Sequence, residues 1–148
     1  MRLRSNLPNG PALKQLRAFA NLKHRDRRLL LEAFITLAIC RRRLLAQNIE
    51  ELQAWASQAG NGTAALDRIV WAVEVASRRI PRATCLSRAL TLQRLLAKNG
   101  HGSELRIGVE KNNEGFGAHA WLVHGTEILI GASQVEKYEL LAAWRSKD

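Results

Sequence analysis

The hydrophobic pattern of this chain changes period at Gly100, and that change limits the folds open to it. Before Gly100 the apolar residues recur at three- and four-residue spacings, as on one face of a helix; after it they alternate, as on one face of a strand. The two periods cannot substitute for each other, because alternation scatters side chains around a helix and helical spacing splits them between the faces of a sheet. The predicted order is helices first and then a small antiparallel sheet, an α+β fold.

Between Ala12 and Ala46 the helical period is carried by Leu13, Leu16 and Phe19, then by Leu30, Ala33, Phe34 and Leu37. A break near His24 to Asp26 divides two helices, with Asp26 available as an N-cap. Asn48 followed by Glu51 opens a short third helix, which Gly60, Asn61 and Gly62 end. Thr63 is expected to cap a fourth, with Leu66, Ile69, Val70, Val73 and Ala76 as its buried stripe, and Pro81 stops it. "CLSRALTLQRLLAK" supplies a fifth, and Gly100 suits the left-handed turn after it. Pro8, Asn9 and Gly10 end a loose start.

Beyond Gly100, "SELRIGVEK" sets Leu105, Ile107 and Val109 against Glu104, Arg106 and Glu110. "GAHAWLVH" and "TEILIG" read as two more strands, with His124 and Gly125 as a two-residue hairpin turn. A last helix is expected from about Gln134 to Trp144. No repeat or low-complexity stretch interrupts this order. The chain divides into a helical segment, 1–62, and a core, 63–148, expected to pack as one compact domain.

The longest apolar run, Leu29 to Cys40, contains Glu32 and falls short of the roughly 20 residues of a membrane span. Two cysteines and no cationic-then-apolar leader point to the reducing cytoplasm rather than to a disulfide framework. The net charge is +10, with clusters at Lys23–Arg28, Arg41–Arg43 and Arg78–Arg82. Such a field suits an acidic peptide, an anionic membrane surface or nucleic acid. Specific nucleic-acid binding is not expected, since aromatics make up 5% of the chain and no zinc-finger or RNA-recognition motif is present.

Cys85 follows Thr84 at the head of the fifth helix. A thiol there lies near free backbone N–H groups and the positive end of the helix dipole, which favour the thiolate, and Arg82 and Arg88 add positive charge. A cysteine nucleophile needs a base that later protonates the leaving amine, and histidine is the usual one. His119 is the candidate because it lies within a strand. His24 sits among basic residues, His101 follows a helix-ending glycine, and His124 occupies the expected turn. Cys40, inside an apolar helix, reads as a core residue.

"ATCLSRALTLQRLLAKNGHGSELRIGV" followed by "AHAWLVHGTEILIG" closely resembles the transglutaminase-like leader peptidases of lasso-peptide biosynthesis, the family of the microcin J25 processing protease. The shared pattern is Cys-Leu at the head of a leucine-rich helix, a Gly turn, an L-x-I-G-V strand and "HAW" on the next strand. It covers about Pro81 to Tyr138, and "RRLLLEAFITLAICRRRLL" is similar to the helical segment that precedes this core. The resemblance implies a papain-related half-fold, a cysteine endopeptidase with Cys85 as nucleophile and His119 as general base and acid, and neither cofactor nor metal. It also implies partners: a precursor peptide with a leader, a separate leader-recognition protein, and an ATP-dependent, asparagine-synthetase-like cyclase.

One departure stands out. The family usually places an acid, often Asp, about a dozen positions after the histidine, and here Ile130, Gly131 and Ala132 occupy that region. With a turn at His124-Gly125, His119 would face Ile130, and Glu127 would pair with Leu122 on the other side of the sheet. The third role stays open between a backbone carbonyl, a side-chain amide and a water. The missing acid also leaves room for a non-catalytic transglutaminase-like scaffold or peptide-binding protein, and the basic clusters for a nucleic-acid-binding helical protein.

Overall fold

The computed structural model describes residues 11–112, 115–133 and 135–146. Five helices come first: α1 (Pro11–Ala20), α2 (His24–Leu44), α3 (Ile49–Ala56), α4 (Leu66–Arg79) and α5 (Cys85–Lys98). Four strands follow: β1 (Glu104–Asn112), β2 (Gly115–His124), β3 (Glu127–Ile130) and β4 (Glu139–Arg145). They form one antiparallel sheet in the order β3-β2-β1-β4. The fold is therefore α+β. Among the described residues no helix is long and apolar enough to cross a membrane.

α5 is the central element. It packs on α2, α3 and α4 along one flank and on β1 and β2 along the other. Leu90, Thr91, Leu92 and Gln93, four consecutive positions, are all enclosed, so this helix has almost no solvent face along its middle. Two of its enclosed polar groups bond to carbonyls: Thr91 Oγ1 donates to that of Ser87 at 2.7 Å, and Gln93 Nε2 to that of Trp144 at 3.4 Å. Each enclosed leucine contributes about 1.5–3 kcal/mol. Leu105, Ala120, Leu122 and Ile130 bring the sheet into the same core.

Local signals place most helix ends. Asn48 Oδ1 accepts from the Glu51 N–H at 2.9 Å and starts α3. Gly100, at φ +77°, closes α5 while the His101 and Gly100 N–H groups bond the Leu96 and Ala97 carbonyls. Two expected caps are displaced. α2 begins at His24, and Asp26 sits in its first turn, where its carboxylate takes Arg68 of α4 at 3.0 Å. α4 begins at Leu66 with Ala65 at the cap position. The stretch that includes Thr63 is tied to the end of α5, through Gly62 N–H to Lys98 O and Ala64 N–H to Asn99 Oδ1, so helix cannot start there.

Two larger expectations are overturned. The stretch read as a final helix is a single 3-10 turn, Val135–Lys137, followed by β4; Gln134 lies outside the described residues. "ELLAAW" has helix-forming residues, but as a strand it pairs with β1 and sets Trp144 opposite Leu105, against the core. The hairpin turn is Gly125-Thr126 rather than His124-Gly125, with His124 opposite Glu127. Gly125 takes φ +57° as first turn residue, which a two-residue turn of type II′ asks of glycine; the other register would put His124 in that place. A bulge then pairs Ile130 with Leu122, so Ile130 does not lie opposite His119.

Candidate active site

The first turn of α5 is capped twice. Thr84 Oγ1 accepts from the Ser87 N–H at 3.1 Å, and Ser87 Oγ donates to the Thr84 carbonyl at 3.0 Å. The loop before it contains Pro81 and then Arg82 at φ +61°, the one non-glycine with positive φ among the described residues. Capping and loop together hold Cys85 at the helix head, half-buried.

The histidine reaches the same place from the sheet. β3 pairs with β2 only from Leu122 to His124, so the edge of β2 at His119 and Ala120 is left without a partner strand. A cleft of about 440 Å³ lies there, lined by Glu74 of α4, Cys85 and Arg88 of α5, His119 and the turn from Ile130 to Ser133. The structure thus brings the two candidates, Cys85 and His119, onto one cleft. Arg88 Nε is buried with no hydrogen-bond partner among the described residues, and the acid that lines the cleft, Glu74, pairs at 3.9 Å with Arg78.

His119 has three close neighbours. Its Nε2 lies 2.7 Å from the Gly131 carbonyl. A carbonyl can only accept, so Nε2 carries a proton, and in the neutral ring the lone pair is on Nδ1. The Trp121 and Tyr138 rings stack near it at 6.0 and 5.1 Å between centroids. Gly108, its partner on β1, makes room for both: a Cβ there would meet Tyr138 Cβ at 2.8 Å and Trp121 Cη2 at 2.9 Å.

Gly131 stands a dozen residues after His119, where the family resemblance implies an acid, and supplies a main-chain oxygen instead. No acidic side chain bonds His119 among the described residues, and Glu127 is exposed at the hairpin, beside His124. The other histidines face elsewhere: His101 Nε2 bonds Ala64 O, His124 Nδ1 bonds Gly102 O, and His24 opens α2. Cys40 is fully buried, 3.6 Å from the Ser87 carbonyl, and burial pushes its thiol up to about 11. It is a core residue. Among the described residues no three His, Cys, Asp or Glu side chains gather as a metal site.

Three parts of this arrangement escape a reading of residues alone. Gly108 left a signal, since glycine within a strand pattern marks close approach. Tyr138 left none, lying in a stretch with helical composition, and the Gly131 carbonyl is a backbone group that residue type does not reveal. A cysteine on a helix head, an imidazole on the adjoining strand and an oriented carbonyl form a set that acyl transfer can use. A comparison with curated proteins finds no match, and a comparison with solved structures finds none. The family model described as the transglutaminase-like superfamily matches residues 28–143, from α2 into β4. With well over half of its length matched, the chain belongs to the transglutaminase-like superfamily.

Proposed function

We propose that this chain is a cysteine peptidase that removes the leader from a ribosomally made lasso-peptide precursor in the cytoplasm, with Cys85 as nucleophile and His119 as general base and acid. The superfamily includes cysteine peptidases. The observation that carries the reading is the shared cleft, with His119 Nε2 bonded to Gly131 O and its Nδ1 free to take a proton.

Cys85 Sγ–H gives its proton to His119 Nδ1, and the thiolate adds to the carbonyl carbon at the end of the leader. The oxyanion is met by the Cys85 backbone N–H, and Arg88, whose Nε has no hydrogen-bond partner among the described residues, lends positive charge to the cleft. The imidazolium then protonates the leaving amine, the C–N bond breaks, and the core peptide departs with a new amino terminus. Water, deprotonated by His119, opens the thioester and frees the leader acid. A separate leader-recognition protein delivers the precursor, and an ATP-dependent, asparagine-synthetase-like cyclase consumes the amine.

The test is cleavage of a lasso-peptide precursor carrying its leader, followed by mass spectrometry, with a leader-recognition protein added. Cys85→Ala and Cys85→Ser should abolish cleavage in folded protein, and Cys40→Ala should keep it. Wild-type activity in Cys85→Ala would end this reading. The absence of a carboxylate on His119 favours one other reading, a non-catalytic scaffold. For that scaffold, iodoacetamide would label Cys85 no faster than the buried Cys40.

A further inference from the structure

A second concavity adjoins the cleft across the first turn of α5. It measures about 490 Å³ and lies between the end of α2 and the loop before α5, lined by Ala38, Leu44 and Leu45, by Arg41, Arg42 and Arg82, and by Thr84 and Ser87. Thr84 and Ser87 flank Cys85 in the chain, so one helical turn serves as the wall of both hollows.

Its chemistry is unusual for a solvated surface. Leu45 is 91% exposed, and α2 also leaves Leu31, Ile35 and Ile39 exposed along its length. Arg41, Arg42 and Arg82 form no ion pair among the described residues, and no acid lines the hollow. Arg82 adopts φ +61°, a conformation that glycine would take without strain. Holding an arginine there points to use of its side chain.

We propose that this groove seats a segment of the substrate peptide adjacent to the scissile bond, and that the segment alternates apolar and acidic side chains. The inference deepens the peptidase reading and rests on it for the identity of the occupant as substrate. Apolar side chains would sit on Leu44, Leu45 and Ala38, and carboxylates would meet the three arginines. Charge decides against two other occupants. A second copy brings another net charge of +10, and the chain's own residues 1–10 contain Arg2 and Arg4 and no acid. The lining has no aromatic ring on which a nucleic-acid base would stack.

The experiment uses the full chain as Cys85→Ala, so that binding is read without turnover. Three fluorescein-labelled 12-residue probes are compared by anisotropy: alternating Leu-Glu, Leu-Lys and Ser-Glu. The Leu-Glu probe should bind tightest, and binding should weaken about fivefold or more in Arg41→Ala/Arg42→Ala and in Arg82→Gly, the upper range for exposed ion pairs. It should also weaken with salt and in Leu45→Glu. Arg82→Gly should unfold at no lower urea than its parent, which separates a lost contact from a lost fold. Equal binding of the Leu-Lys or Ser-Glu probe, or unchanged binding in the arginine variants, overturns the proposal. Tighter binding of a 12-nucleotide RNA or of phosphatidylglycerol vesicles, lost in those same variants, overturns it in favour of a nucleic acid or a membrane. If precursor cleavage fails while Leu-Glu binding persists, the peptidase reading falls and the groove stands. Cleavage that proceeds equally well in the arginine variants has the opposite meaning.

Discussion

Replacing Gly131 by alanine should disturb the fold and the imidazole together, and the two effects can be measured apart. Gly131 has φ +82°, and its missing Cβ would lie 2.7 Å from Ala120 O, 2.9 Å from Trp121 Cβ and 3.0 Å from Trp121 Cα. The left-handed backbone costs an L-residue about 1–2 kcal/mol. Two of the three close atoms are backbone of β2, which its ladder to β1 holds in place, so the turn must shift at an overpacking cost of about 1–3 kcal/mol. The expected loss is about 2–5 kcal/mol in all, or a fall of roughly 1–3 M in the urea midpoint for slopes usual in small domains. Gly125→Ala is the control: φ is +57° but nothing lies within 4 Å of the added Cβ, so the backbone cost alone applies there. The shift should also pull the Gly131 carbonyl from His119 Nε2. Nitrogen-15 NMR of the imidazole should show the Nε2–H tautomer in the parent and a mixture in Gly131→Ala. Equal urea midpoints for the two alanine variants, with an unchanged His119 tautomer, would refute both the overlap and the orienting role of the carbonyl.

The Cys40 thiol, raised by burial from 9.0 to about 11, binds its proton more tightly folded than unfolded. Its contribution is therefore full below pH 9.0 and lost as pH rises toward 11, by about 2–3 kcal/mol, and Cys40→Ala should lack that part of the alkaline fall in urea midpoint. Arg106, and then Arg145, hold the Glu104 carboxyl below its usual range, so its contribution is present at neutral pH and lost as pH falls through the lowered value. Glu104→Gln should accordingly flatten the acid limb of the stability profile, and acid unfolding followed by circular dichroism checks this. Gly108→Ala presses on Tyr138 Cβ and Trp121 Cη2 and should cost about 1–3 kcal/mol in urea unfolding while impairing precursor cleavage.

What could be read along the chain is what neighbours within a few residues decide. Asn48 and Gly100 act through bonds to residues within four positions, so the start of α3 and the end of α5 were legible, and Thr84 caps the helix that Cys85 opens in the same local way, through the Ser87 N–H. The change of period at Gly100 was enough for the α+β order, because burying one face sets the spacing of apolar residues in each element. Cys85 and His119 could be singled out by type and position, and the shared cleft depends on α5 and β2 packing together. The rest belongs to partners distant in sequence. "ELLAAW" became a strand because β1 offered a ladder and Leu105 a place for Trp144. Asp26 was drawn to Arg68, 42 residues away, and the backbone around Thr63 to the end of α5. The hairpin register turned on the one residue able to take a positive φ cheaply, and the bulge that follows carries the chain on to Gly131. The oxygen that meets His119 is a main-chain atom whose direction is set by that turn, and only the packed sheet decides where it points.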